Sequence, residues 1–170
     1  MGRTADYSRE RCSIAGALEV VGDPWTLLIL RDAFRGARRF EQWQEGLGVA
    51  RNVLAARLKT LVAFGLLEAK QYSERPPRQE YVLTEKGRDL APVLLTLAAW
   101  GDKHIYSPDA APTHFQHIAC GHRFTPQLAC AACGEAVTVG GLALLESPPV
   151  PTVGEALEAA SAQADIIAAE

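Results

Sequence analysis

The chain has 170 residues, 48% of them hydrophobic and 22% charged, with a net charge of −3. That length holds one ordinary domain and a small appendage, and the composition is that of a globular protein. Apolar runs such as Leu27–Leu30 are far too short to cross a bilayer, so no membrane partner is expected. The first eleven residues are polar and lack the apolar core of a secretory signal, which makes the cytoplasm the expected compartment.

The charge is unevenly spread. Residues 31–88 carry twelve basic and seven acidic side chains, a net of +5, whereas residues 105–170 carry one base, Arg123, against seven acids. A basic middle and an acidic tail suit a segment that meets phosphate, joined to one that does not.

Apolar residues at Ile14, Ala17, Leu18 and Val21 predict a first helix over 12–21. Gly22-Asp23-Pro24 ends it and starts a second, with Asp23 as N-cap and Pro24 at the first helical position. The second helix, from Trp25 to Phe34, is expected to bury Trp25, Leu28, Ile29 and Phe34, and Gly36 stops it. A short helix over 40–46 has Phe40 and Trp43 as inward anchors. After the turn Gly48-Val49-Ala50, a longer helix runs from about Arg51 to Phe64. Its stripe of Leu54, Leu58, Leu61 and Val62 leaves Asn52, Ala55, Ala56 and Lys59 on the opposite side.

Two strand candidates, 66–71 and 79–83, flank a polar turn in which paired prolines forbid helix. Thr84 is expected to cap one long helix through about Lys103, kinked at Pro92. Its apolar face of Leu90, Val93, Leu94, Leu97, Ala98 and Trp100 is larger than one small domain needs. The expected organisation is a domain over 1–106, a linker over 107–113, a Cys/His unit over 114–146 and an acidic, alanine-rich tail over 147–170, helical or frayed.

Helix, helix, short helix, turn, helix, hairpin, helix is the order of a winged helix-turn-helix. Its recognition helix buries one side and offers small or polar residues to the major groove, and the helix at 51–64 meets both demands. Arg51 and Asn52 stand at its first turn, Arg57 and Lys59 are placed to meet phosphate or to anchor the helix, and Arg75 and Arg78 occupy the wing tip. The alternative is that these charges only solvate a surface.

The stretches GDPWTLLILRDAFRGARRFEQWQ, VLAARLKTLVAFGLLE and EYVLTEKGRDLAPVLLTLAAWGDKH, with the leading Cys12, resemble the HxlR family of winged-helix regulators over residues 12–104. The resemblance implies a MarR-like homodimer on inverted-repeat double-stranded DNA, with the first and last helices of the domain forming the dimer contact. It also implies repression, or in some members activation, under control of a small-molecule, electrophile or redox signal. In several members a cysteine near the position of Cys12 is the sensor. Here Arg9, Arg11 and a helix N-terminus favour the reactive thiolate; a small buried filler is the competing reading of Cys12.

The C-terminal unit adds a different chemistry. His117-Ile118-Ala119-Cys120-Gly121 and Cys130-Ala131-Ala132-Cys133-Gly134 share the form ligand-x-x-Cys-Gly, two donors on a tight turn followed by a glycine. His117, Cys120, Cys130 and Cys133 together would hold one structural Zn2+ per chain, with His122 as a rival ligand and His114 less well placed. The fold class expected is therefore mainly α with a small β-wing, plus a zinc-ribbon-like β unit. Three other readings stay open: reduced and metal-free cysteines, a disulfide, or a ribbon that folds without metal.

An enzyme is the first rival function, as a thiol oxidoreductase at Cys130–Cys133. The strand-like, glycine-bounded sequence after Cys133 does not suit it, and no nucleophile elbow or phosphate loop occurs. The second rival is a protein-interaction module with a structural winged helix and a metal-stapled C-terminal unit. The basic 31–88 segment favours DNA over that reading.

Overall fold

A computed structural model describes residues 6–75, 77–107, 110–112, 114–145 and 148–168. Parts of the expected linker (108, 109 and 113) and of the wing tip (76) lie outside these residues. The chain divides into two compact units, one formed by residues 1–88 and 147–170, the other by 89–146. This division differs from the boundary expected at 106, since the helix Ala91–His104 groups with the second unit and the tail with the first.

In the first unit, α1 (Ser13–Val21) and α2 (Pro24–Phe34) are separated by Gly22-Asp23. The Asp23 carboxylate accepts a hydrogen bond from the Trp25 amide at 3.0 Å, so the expected N-cap forms. Next come α3 (Phe40–Leu47), α4 (Arg51–Ala63), strands β1 (Leu67–Glu74) and β2 (Pro77–Leu83), and the short helix α5 (Glu85–Arg88). The core is built from Ile29 and Leu30 of α2, Trp43 of α3, Leu54, Leu58 and Leu61 of α4, and Leu66 and Leu67. Trp43 is fully buried, and its indole nitrogen donates to the Ile29 carbonyl at 3.0 Å. The one polar group of that large side chain is thus satisfied, so burial carries no desolvation penalty there.

Two sequence expectations about the core need correction. Phe34 is exposed and Leu30 is buried in its place, because α2 turns its last turn toward solvent. On α1 the buried residues are Ala15 and Val21, whereas Ile14 is 71% exposed. Periodicity identified an apolar side of each helix but not which part of it the core reaches.

The hairpin is longer than expected, since β2 begins at Pro77 and β1 runs to Glu74. The antiparallel register Leu67↔Leu83 through Gln71↔Gln79 breaks at a bulge between Gln71 and Ser73. Such a bulge raises local twist and re-aims the tip. Residues 38–39 add a short third edge. The Tyr81 amide donates to the Arg38 carbonyl at 2.7 Å, and Arg39 bridges to Glu80.

The long helix expected from Thr84 to Lys103 is two helices. α5 ends at Arg88, and α6 (Ala91–His104) starts afresh with Pro92 in its first turn. A proline lacks the amide that a continuous helix would use and clashes with the preceding turn, so the break replaces the expected kink. Thr84 does cap the first piece. Its hydroxyl accepts from the Gly87 amide at 3.0 Å and donates to the Gly65 carbonyl at 2.6 Å. α5 therefore lies so close to the end of α4 that a Cβ on Gly87 would collide with the Leu66 carbonyl oxygen.

The tail is helical, α7 (Val153–Ala168), and it docks. The Val153 amide donates to Glu10 O at 2.8 Å, the Gly154 amide donates to Ser8 O at 2.9 Å, and Val153 is buried next to Gly16 of α1. Thr152-Val153-Gly154-Glu155 forms a capping box, in which the Thr152 amide donates to the Glu155 carboxylate at 2.7 Å. That amide, then the Thr152 hydroxyl, holds the Glu155 carboxyl below its ordinary range.

Within the second unit, residues 114–145 form no strand of the expected ribbon among the described residues. Two isolated bridges, Gln116↔Arg123 and Ala129↔Ala136, stand in its place, and the strand-like run after Cys133 contains a 3-10 turn at Val139–Gly141.

Gly87→Ala is expected to cost about 1–3 kcal/mol of stability, measured by urea unfolding, because its methyl group meets backbone that cannot yield. Gly46→Ala, an α3 position with open space around it, is expected to be neutral or stabilising by about 0.5–1 kcal/mol. Equal effects at the two sites would show that the close approach at Gly87 does not limit stability.

Candidate nucleic-acid interface

The turn between α3 and α4 sets the geometry of the interface. Gly48 caps α3 in the left-handed region at φ 62°, which places Val49 in the core and lets α4 start at Arg51. Leu54, Leu58 and Leu61 then fix one side of α4. Arg51, Asn52, Ala55, Ala56 and Lys59 are exposed on the other side. This row offers a cation, an amide, two small residues and a second cation, the composition a helix needs to enter a major groove.

Arg51 is exposed but held in place. Its Nη1 donates to Gln44 Oε1 at 2.7 Å, and its guanidinium sits 4.8 Å from the centre of the Phe40 ring. Arg57 points inward instead. Its Nη2 pairs with Asp23 Oδ2 at 2.7 Å, and both side chains are at least three-quarters covered. The geometry thus matches the anchoring side of the expectation for Arg57, tying α4 to the cap of α2.

Arg75 and Arg78 are exposed on the wing. Arg38 and Arg39, outside the expected set of contacts, are exposed at the junction of α3 and the wing. Gln42 Oε1 accepts from both of their amides at 2.8 Å, and the Arg39 guanidinium lies 4.8 Å from the Tyr72 ring. The adjacent basic pair in RGARRF was the available signal. The Tyr81 ring meets Trp43 edge-on at 6.0 Å, and burial pushes its phenol above the ordinary range.

Cys12 is the exposed N-cap residue of α1 and carries no side-chain cap bond. It borders a groove of about 290 Å³ whose walls include Arg11, Gly16, Pro151, Val153 and Leu157. The buried-filler reading of Cys12 therefore fails.

In the second unit the four expected metal donors stand as two pairs. His117 Nδ1 and Cys120 Sγ lie 3.2 Å apart. The backbone amides of Cys133 and Ala132, with the Cys133 thiol, bond to the Cys130 sulfur and bring its thiol below the ordinary range. Among the described residues no three His, Cys, Asp or Glu side chains gather around one point. The rival ligand His122 contributes its carbonyl to the first turn, accepting from the His117 amide at 2.9 Å. All four cysteines are free thiols, so the disulfide reading is not realised.

A mainly helical body, a two-stranded wing and an open second helix of a helix-turn-helix define a winged helix-turn-helix protein. The profile of the HxlR-like helix-turn-helix family matches residues 20–109. An uncharacterized HTH-type transcriptional regulator of Mycobacterium tuberculosis is 47% identical over 126 residues, covering 74% of this chain and 80% of the relative. The HTH-type transcriptional regulator YdeP of Bacillus subtilis is 32% identical over 103 residues, covering 58% of this chain and 80% of the relative. Among solved structures, the candidate transcription factor PA1607 superposes with a TM-score of 0.74 at 34% identity, over 83% of this chain and 99% of its own. The redox regulator HypR in its oxidized form does so with a TM-score of 0.51 at 30% identity, over 55% of this chain and 97% of its own.

The chain belongs to the HxlR-like helix-turn-helix family of DNA-binding transcriptional regulators. The oxidoreductase reading of Cys130–Cys133 falls with that assignment, since these relatives are regulators. No single helix among the described residues is long and apolar enough to cross a membrane.

Asp23→Ala, which removes both the α2 cap and the partner of Arg57, is expected to cost about 1–3 kcal/mol in chemical denaturation. Asp23→Asn retains an acceptor for the Trp25 amide and is expected to cost less. Equal losses would mean that the cap contributes nothing.

Proposed function

We propose that the chain is a transcriptional repressor that binds inverted-repeat operator DNA as a homodimer and releases it when Cys12 is modified by an electrophile or oxidant. The observation that carries the reading is the uncovered side of α4, with Arg51, Asn52, Ala55, Ala56 and Lys59 exposed, together with the exposed wing arginines Arg75 and Arg78. Arg51 and Asn52 read base edges, whereas Lys59, Arg75 and Arg78 meet phosphate.

Support for a homodimer comes from α6. None of its fourteen residues is buried, and Val93, Leu97 and Trp100 form an exposed apolar stripe at helical spacing, half or more of Val93 and Trp100 facing solvent. A stripe of that kind on a short helix is stabilised by a second copy of itself across a twofold axis. Ile14 on α1 is exposed in the same manner. Support for thiol signalling comes from the exposure of Cys12 beside its groove and from the redox regulator among the similar structures.

Operator titrations at rising salt provide the test. Arg51→Ala and Asn52→Ala are each expected to weaken specific binding by about 1–3 kcal/mol and to relax base preference. Arg75→Ala is expected to weaken all sequences alike and to reduce the salt slope by about one. Binding with little salt dependence would instead mark the winged helix as a protein-interaction module. A quinone is expected to release DNA from the wild type and not from Cys12→Ser; equal release from both removes Cys12 as the sensor. Sedimentation is expected to give a dimer for the wild type and a monomer for Leu97→Glu. A wild-type monomer that binds operator with full affinity would overturn the dimer.

A further inference from the structure

Residues 115–124 and 128–137 are one structural unit written twice, thirteen positions apart. In the first copy the Phe124 amide donates to Phe115 O at 2.7 Å, the His117 amide to His122 O at 2.9 Å, and the Gly121 amide to His117 O at 2.8 Å. In the second, the Val137 amide donates to Leu128 O at 2.8 Å, the Cys130 amide to Glu135 O at 2.9 Å, and the Gly134 amide to Cys130 O at 2.8 Å. Each copy has one bridge, Gln116↔Arg123 or Ala129↔Ala136, and one left-handed glycine, φ 71° at Gly121 and φ 76° at Gly134. The two sequences, FQHIACGHRF and LACAACGEAV, agree only at the Ala-Cys-Gly of the turn. What is repeated is the turn and its donors.

We infer that these two turns are the halves of a tetrahedral zinc site, with His117 and Cys120 on one and Cys130 and Cys133 on the other. One pair already sits at the bite of a chelate, His117 Nδ1 being 3.2 Å from Cys120 Sγ, and the same hydrogen-bonded turn carries Cys130 and Cys133 at the equivalent positions of the second copy. Three sulfurs and one imidazole select zinc over magnesium or calcium, and four protein donors leave no position for water, so the ion is structural. Binding draws the two turns together, since the four donors stand here as separate pairs.

An independent observation requires a staple. No described residue of the second unit is buried, and Ile118 and Leu128 are 95% and 65% exposed. A segment of this size without a core or a disulfide needs another cross-link to hold one conformation.

The test uses the full chain. Elemental analysis after gel filtration is expected to find about one zinc per chain, lost in a Cys130→Ser/Cys133→Ser variant. Replacement by Co2+ is expected to give the visible bands of a tetrahedral ion with thiolate charge transfer, a readout independent of whether that variant folds. His117→Ala is expected to lose the ion and His122→Ala to keep it. Wild-type protein without zinc that also gives no cobalt spectrum would overturn the site, as would half an ion per chain. Loss of metal from His122→Ala and not from His117→Ala would overturn the ligand assignment. Because the readout is metal content, failure of the DNA-binding reading leaves this result unaffected.

Discussion

The orientation of the recognition helix depends on one carboxylate. Asp23 Oδ1 caps α2 through the Trp25 amide, while Oδ2 pairs with Arg57 of α4 at 2.7 Å. A single short side chain therefore caps the start of one helix and ties the middle of another to it, adding to the hold of Leu54, Leu58 and Leu61. Arg57 lies one residue before buried Leu58, so holding its guanidinium against α2 turns the opposite row, from Arg51 to Lys59, outward. Both partners are largely covered, which removes most of the solvent screening that makes surface pairs weak. Arg57 Nε has no acceptor, so the contact through Nη2 carries the pair.

A second set of contacts ties the wing to the same body. Trp43 links α3 to α2 through the Ile29 carbonyl and meets Tyr81 of β2 edge-on. Residues 38–39, positioned by Gln42, pair with the same strand. At the other end of the hairpin, Thr84 bonds to Gly65 and Gly87 packs against Leu66. The hairpin is thus fixed at its base on both strands.

Much of this was legible in the sequence, because local rules govern it. Asp23-Pro24 announces an N-cap, Gly48 a left-handed turn, and the spacing of Leu54, Leu58 and Leu61 one buried side of α4. What escaped was set by long-range packing. Phe34 and Leu30 belong to the same apolar helix, and which of them is covered is set by the elements packed against α2. Pro92 was visible, but its ring permits either a bent helix or two separate ones, and the chain takes the second course, ending α5 at Arg88 and starting α6 at Ala91. Arg57 read equally well as a phosphate contact or an anchor until Asp23 was placed beside it. The tail held a T-x-x-E capping signature at Thr152–Glu155, yet its docking rests on amides meeting Ser8 and Glu10, which no periodicity records. The paired Cys-Gly turns were legible in full, whereas the strands expected around them reduce to single bridges.

Docking of α7 on α1 also changes what kind of appendage residues 89–146 are. The chain on either side of them, up to Arg88 and in the tail helix, belongs to the first unit, so they are an insertion within that unit's sequence instead of a terminal extension. The entropy of closing such a loop grows only with the logarithm of its length. The part of it beyond α6, residues 105–146, can therefore change in length at little thermodynamic cost to the body that carries it, provided the returning helix keeps its place.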